Sequence, residues 1–277
     1  MQEIYRFPYG SPCYNADVNP QFRSHTFPVI HIPRKPVDQD IIDFVEHRFG
    51  FYPDLQQRLL LTSAAKRVIL NCTRQWGKTT VSAAKAVHRA FTVPNSLIVV
   101  ASPGFRQSGE WMRRAADLLR RLDIPPCGDG CNRISLLLPN GSRIVGLPEA
   151  EAKVRGFSAL SMLVIDEAAR VSDEMYYKAL RPMLSVGSGD IWMMSTPFGR
   201  RGFFYETWAN DDPEWLKVRV QATDCPRISP GFLAEQRSVM TSNAFRQEHM
   251  CEFIGSGDAL FDRDLVESAF DNDLQPV

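Results

Sequence analysis

The run Arg67-Val-Ile-Leu-Asn-Cys-Thr-Arg-Gln-Trp-Gly-Lys-Thr-Thr80 constrains the fold of this chain more than any other stretch. It sets an apolar, β-rich segment directly before a Gly-Lys-Thr turn and a helix-forming stretch, residues 81–91. A strand, a phosphate-type loop and a helix in that order form one unit of an α/β sheet. The loop Cys72–Thr79 matches G-x-x-x-x-G-K-[ST] except at its first position, where Cys72 stands in place of glycine. Gly77 lets the backbone approach a phosphate, and the amides of Gly77, Lys78 and Thr79 open a helix whose N-terminal dipole favours anions. Lys78 is placed to reach the β/γ-phosphates, and the Thr79 hydroxyl to hold Mg²⁺. Thr73, Arg74, Gln75, Trp76 and Thr80 complete the loop that would face the nucleotide.

About ninety residues later, Met162-Leu-Val-Ile165 has the apolar character of a strand buried on both faces, and it ends in Asp166-Glu167. At the carboxyl end of a parallel strand beside the phosphate loop, Asp166 could bind Mg²⁺ while Glu167 polarises an attacking water. The alternative is that the two acids only cap a helix starting near Ala168. Paired with the loop, they point to ATP hydrolysis, or to a relic of it.

At 277 residues the chain can bury a full α/β core with a small appended subdomain. Lys+Arg and Asp+Glu both number 32, so no global charge attracts nucleic acid, and DNA binding would need a local basic surface. Arg113, Arg114, Arg120 and Arg121 form one candidate cluster and Arg200 with Arg201 another; either could equally be a solvated face. Six cysteines are scattered, and only Cys127 and Cys131 are close, with no second Cys/His pair to complete a zinc site. Reduced thiols in a soluble, cytoplasmic protein are expected. No signal peptide is present, and no apolar run approaches the ~18 residues of a membrane helix.

Along the chain, residues 1–37 read as a proline- and aromatic-rich arm and 38–212 as the core. Helices are expected over residues 38–51, 55–63, 79–91, 105–122 and 172–183. Strands are expected at 96–101 and 191–195, and a hairpin across Pro139-Asn140-Gly141. Beyond about 212 the strand pattern stops; 213–260 reads as a lid or linker with a helical 230–251, and 261–277 as a tail. The alternation predicts a mostly parallel sheet covered on both faces.

Five segments together resemble the ATPase portion of the large terminase subunit, the motor that packages DNA into tailed-phage capsids. They are Tyr52-Pro-Asp-Leu-Gln-Gln-Arg-Leu-Leu60, the loop Thr73–Thr80, Val154-Arg-Gly-Phe-Ser158, the acidic strand end Leu163–Ala169, and Ser195-Thr-Pro-Phe-Gly-Arg-Arg-Gly-Phe-Phe204. The likeness covers roughly residues 50–255, and its deviant loop, with Arg-Gln before Gly-Lys-Thr, is characteristic of that family. It implies a P-loop NTPase fold of the ASCE type, with a lid that closes over ATP and moves double-stranded DNA held in a homo-oligomeric ring. The isolated chain could be a monomer; the implied partners are the portal and the small terminase subunit.

The resemblance also implies roles. Gln57, or less directly Gln56, matches the adenine-recognition glutamine, whose amide can donate and accept at once. Arg74 matches a loop arginine acting in cis on the γ-phosphate, and Arg155 a finger reaching a neighbouring subunit's site; either could instead serve a structural ion pair. Ser195, Thr196 and Pro197 match the coupling motif that passes hydrolysis onward, the alternative being an ordinary ST-turn. Whole large subunits continue into a metal-dependent nuclease. This sequence stops just after Ala259–Val266, so the nuclease is expected to have been removed or encoded separately, and no DNA cleavage by this chain is expected. The rivals are another nucleic-acid-stimulated, helicase-like ATPase and an inactive ATP-binding scaffold of prophage origin.

Overall fold

The computed structural model describes residues 40–151 and 156–255. Helices α1 (Ile41–His47) and α2 (Leu55–Thr62) precede strand β1 (Arg67–Cys72), which leads into α3 (Lys78–Thr92). Next come β2 (Leu97–Ser102), α4 (Phe105–Arg120), β3 (Ser135–Leu137), β4 (Arg143–Pro148), β5 (Met162–Asp166) and α5 (Asp173–Met175). The chain then forms β6 (Asp190–Ser195), α6 (Gly202–Ala209), β7 (Trp215–Val220), α7 (Pro230–Val239) and α8 (Ser242–Met250).

The strands make one seven-stranded sheet, ordered β3-β4-β2-β5-β6-β1-β7. Every neighbouring pair is parallel except the β3–β4 hairpin. The apolar runs of β5 and β6 are buried at every position, as strands covered on both faces must be. Val68, Leu70 and Cys72 of β1 point into a core built with α1 to α4, whereas Ile69 points into a second core built with α5 and α6. The hairpin turn forms as expected. Gly141 takes φ +83°, and the Asn140 amide donates to the carbonyls of Ala90 and Phe91 at 2.8 and 3.1 Å, fastening the turn to the end of α3.

Several expectations are revised. The strand pattern does not stop near residue 212: Trp215–Val220 pairs in parallel with β1 as the edge strand. Leu216 and Val218 pack on the core built with α1 to α4, whereas the opposite side carries Trp215, packed on the second core, followed by Lys217 and Arg219. The first helix is shorter than expected, capped by the Asp40 carboxylate and over before Gly50, which takes φ +56°. The helix expected over 172–183 starts as α5 and continues as a π-turn through Tyr176–Leu180 and a 3₁₀ turn through Arg181–Leu184. Among the described residues Cys72, Cys127, Cys225 and Cys251 are free thiols. Among the described residues no helix is long and apolar enough to cross a membrane. The arm 1–37, the tail 261–277 and Arg155 lie outside the described residues.

Candidate nucleotide site

The site gathers at the carboxyl ends of β1, β6 and β5. β1 ends in Cys72, which is fully buried and whose thiol burial pushes up to about 12, so it stays neutral and acts as a small apolar residue. The loop then turns through Gln75 at φ +65° and Gly77 at φ +98°. Gly77 is required here: beyond its left-handed backbone, a Cβ would stand 3.1 Å from the Gln57 side-chain nitrogen. α3 begins at Lys78, so the free amides of its first turn, with Thr79 and Thr80 half-buried beside them, border the loop.

Lys78 is largely buried, and its Nζ lies 3.6 Å from Glu167 Oε1. Burial works against its charge, but the neighbouring carboxylates of Glu167 and Asp166 favour it, and its ammonium titrates above the ordinary lysine value. Asp166, at the end of β5, is pushed up to about 7, chiefly by burial and then by Glu167, with Lys78 and a hydrogen bond from the Glu167 amide (3.0 Å) opposing. Glu167 takes φ +52°, turning its carboxylate toward Lys78. Asp166 is not on the strand next to the phosphate loop, as the sequence suggested. β6 lies between β5 and β1, so Ser195 and Thr196 at the end of β6 sit between the loop and the acidic pair.

The remaining loop residues divide by environment. Trp76 was expected to face the nucleotide, but its indole is buried in the core, leaving only its carbonyl at the loop. Gln75 is exposed. The Arg74 guanidinium donates to Glu248 Oε2 at 2.7 Å; this hydrogen bond is the main reason its pKa is raised. The Thr73 hydroxyl donates to the Glu248 carbonyl at 3.1 Å. Gln57 is buried, and both ends of its amide are engaged: it accepts from the Asp54 amide at 3.0 Å and donates to the Trp76 carbonyl at 2.9 Å. Ser195, Thr196 and Pro197 are all buried.

Two contributors escaped sequence reading. Glu248 on α8 holds the loop arginine, and Arg227 donates both to the Trp76 carbonyl and to Asp54 Oδ2, the latter at 3.0 Å. Both lie more than 150 residues from their partners, with no local motif to announce them. The proposed basic clusters do not converge. Arg113 and Arg120 pair with Glu110 and Asp117 of their own helix, Arg121 donates to the Phe49 carbonyl, Arg200 to the Phe253 carbonyl, and Arg201 stacks over Phe198.

Comparison with known proteins places the chain beside phage packaging proteins. The family described as terminase large subunit, T4likevirus-type, N-terminal, matches residues 69–268. The large terminase subunit of Thermus virus P23-45 is 26% identical over 247 residues, covering 76% of this chain and 51% of that protein. The ATPase domain of the Thermus phage P74-26 large terminase superposes with a TM-score of 0.65 at 22% identity, over 80% of this chain and all of that one. The large terminase of another thermophilic bacteriophage, solved in complex with ADP, gives a TM-score of 0.61 at 15% identity, over 73% of this chain and 54% of that one. At those identities the structural likeness is one of fold. The chain spans about half the length of the curated relatives it matches.

Proposed function

This chain belongs to the terminase large-subunit family, and from that premise we propose that it is the ATPase motor domain that drives double-stranded DNA into a phage procapsid. The observation that carries the reading is the convergence of Lys78, Asp166 and Glu167 from two non-adjacent strands around the N-terminus of α3. A lysine and two carboxylates gathered at a helix start suit a polyanion, a cation and a water together better than a purely structural ion pair.

In this reading the amides of Gly77, Lys78 and Thr79 cradle the phosphates, and Lys78 neutralises charge on the transferred group. Glu167, part exposed and within reach of Lys78, orients the attacking water and takes its proton. The hard oxygen donors Thr79 and Asp166 fit Mg²⁺, which when bound would shield the phosphate oxygens; Asp166 titrates near neutrality because its burial outweighs the pull of Lys78. Arg74 would have to release Glu248 to reach a phosphate. Arg155 supplies charge to a neighbouring subunit's site, and Ser195, Thr196 and Pro197 pass hydrolysis to the lid. Gln57 would meet the adenine edge only if its bond to the Trp76 carbonyl opened. Portal, small terminase subunit and a ring of copies are the proposed partners in the host cytoplasm.

The test is steady-state ATP hydrolysis against protein concentration, with and without double-stranded DNA, with Glu167→Gln as blank. A specific rate that rises with concentration or DNA supports the motor. Bound nucleotide with no rate above the blank would refute turnover by this chain alone.

A further inference from the structure

Two orphaned polar atoms lie at neighbouring strand ends beneath the phosphate loop, on the face of the sheet opposite α3. Asn71 Oδ1 and Ser195 Oγ are buried without hydrogen-bond partners, and the two residues expose 1% and 0% of their surface. Buried polar groups are nearly always satisfied, so two orphans side by side call for an occupant. Asn71 and Ser195 are register partners on the parallel strands β1 and β6. Partners in such a pair project to the same face. Two residues earlier, Ile69 and Met193 both enter the core shared with α6, which fixes which face that is. One amide oxygen and one hydroxyl therefore sit side by side at the strand ends, which is within the two to four polar partners that a single buried water takes.

The other end of the Asn71 amide is already engaged. Its Nδ2 donates to the Cys251 carbonyl at 2.9 Å, just past α8. This turn is held from several sides. Arg219 and Gln221 donate to the Met250 carbonyl, at 2.6 and 3.0 Å, and the Cys251 thiol donates to the Val220 carbonyl at 3.1 Å. Cys251 itself takes φ +54°. The groups that fasten the turn therefore come from the ends of β1 and β7, and among them Asn71 is the one that also faces the end of β6. The same turn closes the helix whose Glu248 holds the loop arginine.

We propose that Asn71 is a positioning residue that, through one buried water shared with Ser195, ties the end of β6 to the C-terminal turn of α8. The link rests on the motor reading above. It gives that reading a route by which a change at Ser195 reaches α8 without crossing solvent: the hydroxyl holds the water, the water holds Asn71 Oδ1, and Asn71 Nδ2 holds the carbonyl.

Hydrogen–deuterium exchange tests it in two arms. In the nucleotide-free protein, Asn71→Leu keeps the branched outline of the side chain but removes the link. Amides over 245–252 should then exchange about tenfold faster, the effect of one buried hydrogen bond on a local opening. Unchanged exchange there overturns the proposal. If the leucine variant does not fold, Asn71→Ser, too short to reach the Cys251 carbonyl, should show the same acceleration. In the second arm, ATP-γ-S should alter exchange over 245–252 in the unsubstituted protein but not in Asn71→Leu. A response that persists in Asn71→Leu overturns the coupling. If the unsubstituted protein does not bind ATP-γ-S at all, the motor reading has failed, while the tether is still judged by the first arm.

Discussion

Replacing Glu167 by glutamine keeps the shape of the acidic pair and removes one charge, so its two effects can be worked out separately. Glu167 Oε1 stands 3.6 Å from Lys78 Nζ, and at an effective dielectric of about 20 that pair is worth about 4–5 kcal/mol in Coulomb energy alone. Desolvation returns most of it, and about a quarter of the Glu167 side chain is in solvent, which leaves a net interaction on the order of 1 kcal/mol. Without Glu167, Lys78 is free to give that interaction to a phosphate. Asp166 loses the like charge that helps hold its carboxyl up near 7, so it ionises more readily. ATP binding should therefore be unchanged or up to about fivefold tighter. Turnover should fall by about 10²–10⁴, the usual loss when a positioned general base is removed. Fluorescent-nucleotide titration and steady-state phosphate release measure the two quantities. ATP binding weakened by more than about tenfold, or turnover kept within about tenfold, would refute the assignment, because each would mean that Glu167 holds the site together rather than acting on water.

Three further expectations follow from the same geometry. His88 is pulled down to about 4, first by burial and then by Lys85 and Arg89, with its ring against Phe44. A depressed histidine favours the fold above its unfolded pKa and loses that contribution as pH falls from about 6.5 toward 4. Urea unfolding should lose on the order of 3 kcal/mol over that window, and His88→Leu should flatten the loss. Glu248→Gln should release the mostly exposed Arg74 and tighten nucleotide binding by up to about fivefold, as read by equilibrium titration; weaker binding would mean that Glu248 supports the bound state. Arg155→Ala should keep nucleotide affinity, lose turnover, and regain it when mixed with Glu167→Gln subunits, whose arginine is intact; no recovery in a mixing assay would rule out a finger acting between subunits.

Sequence reading succeeded where chemistry is local. The loop, the strand it leaves, the helix it opens and the Asn-Gly hairpin are each written in a few consecutive residues, and each forms. It failed where the determining contact is distant or one-sided. β7 alternates apolar and charged residues, and as a partly buried edge strand it lacks the continuous apolar run that marks β5. Trp76 sits inside the loop motif and was grouped with the residues facing the nucleotide, whereas its size drives it into the core. The interposition of β6 between β1 and β5 is a fact of strand order, which no spacing in the chain encodes. Glu248 and Arg227 reach the loop only because the C-terminal helices fold back over it.

The edge position of β7 sets where this protein can be cut. Its six residues cover the outer hydrogen-bonding groups of β1, the strand that carries the phosphate loop. A fragment trimmed at residue 212 would bare that row of amides and carbonyls along a largely buried strand, an open template for sheet growth between molecules. Lys217 and Arg219 place charge on the present border, where it discourages such stacking. A fragment intended for crystallisation or single-molecule work should therefore run past Val220, and a fusion partner or affinity tag belongs beyond that point.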